Sequence, residues 1–224
     1  MNPLDNMVWH SLFGEHSMFR EGSIDACRYD GDVSIFCALP DEARSEHWDA
    51  LRALVGPGET ASLFRSPVEI PDGWDIVMDM RGVQMIGPTT PASIDPSVEI
   101  LGIDSAAEIA ELVERTKPGP FRPRTPELGT FVGIRDEGEL VALAGQRLRA
   151  DAFVEISAVC TDERFRGKGL ASTLMHAQHA LLAADGRRPI LHTSADNVRA
   201  ISLYESLGYT HRRDVQIAVV RAPQ

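Results

Sequence analysis

Cysteine is scarce in this 224-residue sequence: Cys27, Cys37 and Cys160 are three, an odd number, with no C-x-x-C pair. That usage excludes a disulfide framework and a zinc knuckle, and it reads as three small packed side chains. Basic residues are short as well, 22 Lys plus Arg against 33 Asp plus Glu, for a formal charge of −11. Sequence-independent nucleic-acid binding displaces counterions with a surplus of Lys and Arg, and binding to an anionic membrane needs the same surplus, so neither partner is expected. No run approaches the roughly 18 apolar residues of a spanning helix. The start MNPLDNMVWH also has neither the basic nor the apolar stretch of a signal peptide, so a cytoplasmic protein is expected.

What is present describes a folded chain, 43% apolar and 25% charged. At roughly 150 residues per domain, it makes one large or two modest domains. The charge is unevenly spread. Residues 1–95 hold 6 basic and 16 acidic residues, 96–150 hold 7 and 9, and 151–224 hold 9 and 8. Nearly all the acidity is N-terminal, and the last third is close to neutral.

In residues 1–95 the pattern predicts strands over 24–29 and 33–39 around the turn Asp30-Gly31-Asp32, and a helix over 41–54 with Trp48, Leu51 and Leu54 on one face. Further strands are expected near 61–64, 76–80 and 83–86, and no catalytic motif is evident. The stretch 87–96, rich in Pro, Ser and Thr, reads as a linker. Beyond it the pattern predicts a strand over 98–103, a helix from Asp104 or Ser105 to Thr116, and a proline loop over 117–129. A hairpin follows over 130–134 and 140–148, then a strand over 153–161, a helix over 170–184, a strand over 190–193, a helix over 198–207 and a last strand over 215–220. The expected division is an N-terminal α/β domain over 1–95 and a second domain over 96–224. No internal repeat is visible in the residues.

The chemistry concentrates between Val154 and Leu182. A strand ends at Thr161, a loop carries Arg164-Phe165-Arg166-Gly167-Lys168-Gly169, and a helix begins at Leu170. Glycines let a backbone approach a ligand closely, and the free amides of a helix N-terminus attract anions. A Walker loop is excluded because Gly169, not Ser or Thr, follows Lys168, and the dinucleotide fingerprint fails at Ser172.

The string R-x-x-G-x-G after EISAVCT (Glu155 to Thr161), followed about 28 residues later by ADNVRAISLYESLGY (Ala195 to Tyr209), resembles the GNAT superfamily of acetyl-CoA-dependent N-acetyltransferases. Within it the strings are most similar to the bacterial branch related to glycine N-acyltransferases. The resemblance implies a mixed, mostly antiparallel α/β sheet with flanking helices over 96–224, preceded by a smaller α/β N-terminal domain that in that branch often looks like a decayed half of the same fold. It implies acetyl-CoA as acyl donor, no metal, and direct attack of an amine on the thioester. By position, Val159, Cys160 and Thr161 would pair with the pantetheine arm. Gly167, Lys168, Gly169, Leu170, Ala171 and Ser172 would take the pyrophosphate, with Arg164 and Arg166 beside it. Asn197 would touch the cofactor, and Tyr204, seven residues on, would face the sulfur as the acid that protonates the leaving thiolate.

Glu155 is the expected base, directly or through a water, because simple alternation along the strand puts Glu155, Ser157, Val159 and Thr161 on one side. An amide near Val159 would meet the oxyanion. His192 reads either as an acceptor-side residue or as a satisfied structural histidine, while His176 and His179 read as surface residues. Arg122 and Arg124 would either bind an anionic acceptor or brace the proline loop. The acceptor is an amine of a small molecule or amino acid, with a protein amine, or a CoA-binding module without turnover, as the alternatives. A monomer or homodimer is expected.

Overall fold

The computed structural model describes residues 2–65, 67–89 and 93–224. Of the stretch read as a linker, residues 90–92 lie outside the described residues. Eleven strands form one sheet. The first half of the chain supplies helix α1 (Met7–Leu12), strands β1 (Arg20–Gly22), β2 (Cys27–Tyr29) and β3 (Phe36–Ala38), helix α2 (Ser45–Val55), and strands β4 (Thr60–Phe64) and β5 (Asp75–Ile86). The second half begins with strand β6 (Val98–Leu101), helix α3 (Ala106–Thr116), and strands β7 (Phe131–Asp136), β8 (Glu139–Ala150) and β9 (Phe153–Thr161). Helix α4 (Leu170–Ala184), strand β10 (Arg188–Ser194), helix α5 (Val198–Ser206) and strand β11 (Thr210–Arg221) complete it.

The strand order is β1-β2-β3-β4-β11-β5-β10-β9-β8-β7-β6. Outward from the central pair β11/β5 the two sides follow one plan. On one side β3 and β4 are parallel with α2 between them in the chain; on the other β9 and β10 are parallel with α4 between them. Parallel neighbours need such a crossover. The last strand of each half is exchanged: β5 pairs with β10 of the second half, and β11 pairs with β4 of the first, both antiparallel. The repeat invisible in the residues is therefore present in the topology. Along the chain β5 ends at Ile86 and β6 begins at Val98, while in space β5 lies inside the sheet between β10 and β11.

The core follows the same interlock. Leu4, Met7, Val8 and Leu12 of the first half pack with Leu148, Ala150 and Ile190 of the second, and Ser11 Oγ accepts from Arg149 N (2.9 Å) and donates to Arg149 O (2.8 Å). Helix α4 buries Leu174, Met175 and Leu182 against Val141, Ile156 and Leu191 of the sheet and Val83 and Met85 of β5. Each such side chain contributes about 1.5 to 3 kcal/mol relative to exposure. The one wholly buried amide side chain on α4, Gln178, is satisfied by the Thr130 and Ala144 carbonyls (3.0 Å each) and by the Gln146 amide (2.9 Å).

Several elements differ from the sequence expectation. Helix α1 and the three-residue β1 carry too short a pattern to be seen. Helix α2 starts at Ser45, four residues late, because the chain bends at Asp41 and Glu42 and stays non-helical to Arg44, and β5 is one strand where two were expected. Strand β9 and helix α4 fall on their expected limits. His179 is a correction: it is buried, and its Nε2 lies 2.8 Å from the Tyr209 hydroxyl, whereas His176 is exposed as expected. Helix α4 is covered on that side by the Tyr209 ring, which comes from beyond α5 and is outside the reach of any local pattern.

Candidate active site

Strands β9 and β10 pair only at Phe153, Val154 and Glu155 against Arg188, Pro189 and Ile190. Beyond those residues they part, and the gap opens over the N-terminus of α4. Helix α4 starts after Gly169, which sits at φ 81°, and Thr173 N is the first amide to reach an intrahelical acceptor, Gly169 O at 3.1 Å. The amides of Leu170, Ala171 and Ser172 precede that first bond and are the free donors of a helix start. Gly167 is also at positive φ, 80°, and no atom lies within 4 Å of where a β-carbon would sit on either glycine. The result is a cleft of about 560 Å³ whose walls include Val159, Cys160, Thr161, Arg166, Gly167, Gly169, Leu170, Ala171, Ser172, Asn197 and Tyr204.

A group with an extended arm and an anionic diphosphate fits this geometry: an open strand edge, orphan amides on a helix dipole, and a glycine turn with room beside it. Ala at position 169 would occupy a left-handed conformation that costs roughly 1 to 2 kcal/mol and would put a methyl on the cleft wall. Gly169→Ala is therefore expected to weaken binding of such a diphosphate group several-fold while lowering the melting temperature only slightly; ligand titration and a thermal melt check both.

Two residues expected at the diphosphate are used elsewhere. Arg164 is bound to Asp162 (3.0 Å) and to Glu139 of β8 (2.6 Å), and Lys168 Nζ sits 4.6 Å from the Phe165 ring centre. Neither is among the residues lining the cleft. In return the Arg164 hydrogen bonds, joined by the Arg164 and Arg115 charges, hold the Asp162 carboxyl well below its usual range. Residues that the motif did not indicate also line the cleft: Phe165, Arg199, Ala200 and Leu203, with Thr116 and Pro118 from the end of α3.

A bulge shapes the other wall. Leu143 pairs with Cys160 and Gly145 with Ser157, so Ala158 and Val159 both stand opposite Ala144, and Ala158 takes φ 55°. A non-glycine residue held there stores of order 1 to 3 kcal/mol of strain, and bulges recur beside active sites because they re-aim the chain. The bulge also shifts the alternation, so Glu155 does not share a face with Val159 and Thr161 as simple alternation predicts.

Glu155 is completely buried. Its carboxylate accepts from Arg147 Nε (2.8 Å) and Nη2 (2.6 Å), and His192 Nδ1 lies 2.7 Å away. Burial alone would raise this carboxyl; the Arg147 charge and hydrogen bond, joined by His192, more than offset it and hold it at about 2. A carboxylate so engaged is a poor proton acceptor. A second bulge makes the pairing: Gln146 faces Ile156 and Arg149 faces Val154, leaving Arg147 and Leu148 both opposite Glu155. His192 Nε2 is 2.8 Å from Gln84 Nε2, whose other contact is the Leu4 carbonyl (2.8 Å), so both ring nitrogens are satisfied, the structural alternative for this residue. Glu155→Gln leaves the buried guanidinium without its counter-ion, and a loss of about 3 to 5 kcal/mol in urea unfolding is expected.

Tyr204 stands where this cleft meets another. A larger hollow of about 760 Å³ on the far side shares Val159, Asn197, Ala200 and Tyr204 with the first and extends over Phe36, Phe64, Phe121, Arg147 and His192. Asn197 caps α5 through Oδ1 to Ala200 N (3.2 Å), which fixes the helix that carries Tyr204 two turns on. Among the described residues nothing bonds the Tyr204 hydroxyl, and burial pushes its phenol up to about 12. Arg124 braces the proline loop, bonded to Asp30 (2.7 Å) and Glu127 (2.8 Å). Cys160 is buried, and burial pushes its thiol up to about 11, consistent with packing. Among the described residues no cluster of three or more His, Cys, Asp or Glu is arranged to hold a metal, and no helix is long and apolar enough to cross a membrane.

The corresponding place in the first half, where β3 gives way to α2, is built differently. Arg65 donates to the Pro40 (2.7 Å) and Asp41 (2.8 Å) carbonyls, tying the end of β4 to the loop that follows β3, and Asp41, Glu42 and Glu69 line the remaining hollow. That loop contains no glycine, and in the hollow the carboxylates of Asp5, Asp41, Glu42 and Glu69 outnumber the guanidiniums of Arg65 and Arg213, which disfavours a diphosphate.

A sheet whose parallel strands part over a glycine turn and a helix N-terminus is the architecture of the GNAT fold. The family model described as FR47-like protein matches residues 131–218. An acetyltransferase from the GNAT family of Novosphingobium aromaticivorans is 35% identical, with both chains covered over 100% of their length and a TM-score of 0.90. A GCN5-related N-acetyltransferase from Kribbella flavida shares the fold at 19% identity, covering 96% of this chain and 93% of its own, with a TM-score of 0.63. Mycothiol acetyltransferase of Corynebacterium efficiens is 37% identical over 76 residues, 34% of this chain, and the match spans 26% of that relative's length. The chain belongs to the GNAT family.

Proposed function

We propose that the protein transfers the acetyl group of acetyl-CoA to an amine of a small molecule or amino acid seated in the larger hollow. The observation that carries this reading is the Tyr204 hydroxyl, free of protein partners among the described residues and placed where the two clefts meet. Acetyl-CoA supplies an acyl group activated as a thioester. The amides of Leu170, Ala171 and Ser172 and the turns at Gly167 and Gly169 hold its diphosphate, Arg166 flanks it, and Val159, Cys160 and Thr161 pair with its arm. An amide near Val159, beside the bulge at Ala158, would meet the carbonyl oxygen, where negative charge develops.

The amine nitrogen forms a bond to the carbonyl carbon as the bond from that carbon to sulfur breaks. The nitrogen loses a proton to water, and the departed thiolate takes one from water. Tyr204 assists at the sulfur. A phenol held near 12 keeps its proton at working pH, so it donates a hydrogen bond to the leaving thiolate. Full transfer to a thiolate whose conjugate acid is near 8.5 would be uphill by about 4 to 5 kcal/mol. Glu155 acts at one remove: it positions Arg147 and His192 in the acceptor wall. With no free carboxylate engaged as base, the rate follows the fraction of acceptor present as free amine.

One half carries the cofactor site, giving one acetyl-CoA per chain, in a cytoplasmic monomer or homodimer. The strings EISAVCT and DNVRAISLYESLGY support kinship with the glycine N-acyltransferase-related branch. Release of free thiol from acetyl-CoA, measured against a panel of amino acids, aromatic amines, polyamines and aminoglycosides, tests the reading. Thiol release that needs both substrates is expected; none with any amine, together with no binding of acetyl-CoA, would overturn it.

A further inference from the structure

The acceptor hollow has a chemical bias of its own. Its wall is rich in large apolar side chains, among them Phe36, Phe64, Phe121, Met80 and Ile217, and among the described residues lining it there is no carboxylate. Glu155 lies beneath that wall, fully covered. A polycation entering here would leave its second ammonium without a counter-ion, so the strongly acidic N-terminal half of the sequence does not translate into a site for polyamines.

Two cationic side chains line the hollow: Lys117, 78% exposed and 3.8 Å from Glu114, and Arg147, which is held inside the wall. Arg147 has five N–H donors, and Glu155 uses one on Nε and one on Nη2. The remaining three, two on Nη1 and one on Nη2, have no protein acceptor among the described residues, although the side chain is only 12% exposed. The guanidinium is also fixed in orientation, lying 5.0 Å from the Phe36 ring centre and 5.9 Å from that of Phe64. A rigid guanidinium whose outer fork is unpaired, set in an aromatic wall, matches a planar carboxylate bidentately.

We infer that the acceptor is a hydrophobic amino acid, whose carboxylate sits on the free fork of Arg147, whose apolar side chain lies against Phe36, Phe64 and Phe121, and whose amine points to the junction at Val159 and Tyr204. This rests on the acetyl-transfer reading and assigns Arg147 as the residue that selects the substrate. Because the fork is neutral overall with Glu155, the carboxylate is held by hydrogen bonds to a charged group, which contribute about 1.5 to 3 kcal/mol, equivalent to roughly 10- to 150-fold in affinity.

The test is a matched series on the wild-type protein: phenylalanine, phenylalanine amide and phenethylamine as acceptors, with spermidine as the cationic control. Each is measured by thiol release and, in parallel, by titration calorimetry in the presence of CoA. Comparison is made at equal free-amine concentration, since the amine pKa differs along the series. The expected result is that phenylalanine exceeds phenethylamine by 10-fold or more in kcat/KM or in affinity, with the amide between them and spermidine lowest. The double variant Arg147→Met with Glu155→Gln removes the pair without leaving a bare buried charge, and in it the ratio of phenylalanine to phenethylamine falls towards one. Equal use or equal binding of the acid and the amine by wild type, or preference for spermidine, overturns the inference while leaving acetyl transfer standing. Binding of no series member in the presence of CoA overturns it too. Failure of the acetyl-transfer reading is recognised separately, by the absence of thiol release with every amine and of acetyl-CoA binding.

Discussion

Tyr204→Phe is expected to lower kcat about 10- to 100-fold with KM for acetyl-CoA changed by less than about two-fold. The size follows from what the hydroxyl does. A hydrogen bond to a charged group contributes about 1.5 to 3 kcal/mol, and this one forms only as the sulfur acquires charge, so the loss falls on kcat. The ring itself is part of the core beside Tyr209, at 5.8 Å between centroids, and Phe keeps that packing, so the thermal midpoint stays close to wild type. Steady-state kinetics with a thiol reagent measure it. A loss approaching 10⁴-fold would instead mean complete proton transfer from the phenol, and no loss would remove Tyr204 from the reaction.

The second large effect is on stability in mild acid. His16 and His179 are both buried, and burial holds each near 4, below the usual 6.5. His16 shows why protonation is resisted. Its Nε2 lies 3.1 Å from the Leu128 carbonyl, which can only accept, so Nδ1 is the nitrogen that accepts from the Tyr29 hydroxyl at 2.9 Å and has no room for a proton. A histidine neutral in the fold and charged in the unfolded chain stabilises fully above pH 6.5, and that contribution is lost as pH falls from 6.5 to 4. Each contributes of order 2 to 3 kcal/mol across that window. Glu155, held at about 2, acts in a lower window: its contribution is present above about 4.5 and is lost as pH falls from there towards 2. Urea unfolding at pH 7.5, 5.5 and 4.5 should show the midpoint falling steadily, and His179→Gln should flatten part of the slope. A midpoint independent of pH between 7 and 4.5 would contradict the burial of both rings.

What was legible in the sequence was local. The turn Arg166-Gly167-Lys168-Gly169 carries its own conformation in its glycines, and α4 carries its apolar stripe, so the strand, loop and helix around the cofactor cleft could be located to the residue. The exchange of β5 and β11 was not legible, because both are ordinary strands and only the partner across the sheet distinguishes one arrangement from the other. The bulges at Ala158 and at Arg147-Leu148 carry no glycine or proline to announce them. Each moves a residue off the face that simple alternation gives it, and together they turn Glu155 from a candidate base into a buried partner of Arg147. Arg164 is engaged in a way only partly visible along the loop: besides Asp162 two residues away, it bonds Glu139, 25 residues away on β8, and charge counted along the loop does not include that partner.

The two halves share a strand plan but not a site. In the second half the end of β9 is left open, and glycines and bare amides follow. In the first half Arg65 ties the equivalent loop shut and carboxylates line it.

On the proposed reading, one cleft per chain, over the N-terminus of α4, holds acetyl-CoA. Isothermal titration of the full chain with acetyl-CoA tests it most directly. Saturable binding at one site per chain is expected, with a dissociation constant below about 1 mM, the upper end of ordinary substrate affinities, and weakened in Gly169→Ala. Absence of heat at millimolar acetyl-CoA, or two equivalent sites per chain, would contradict it.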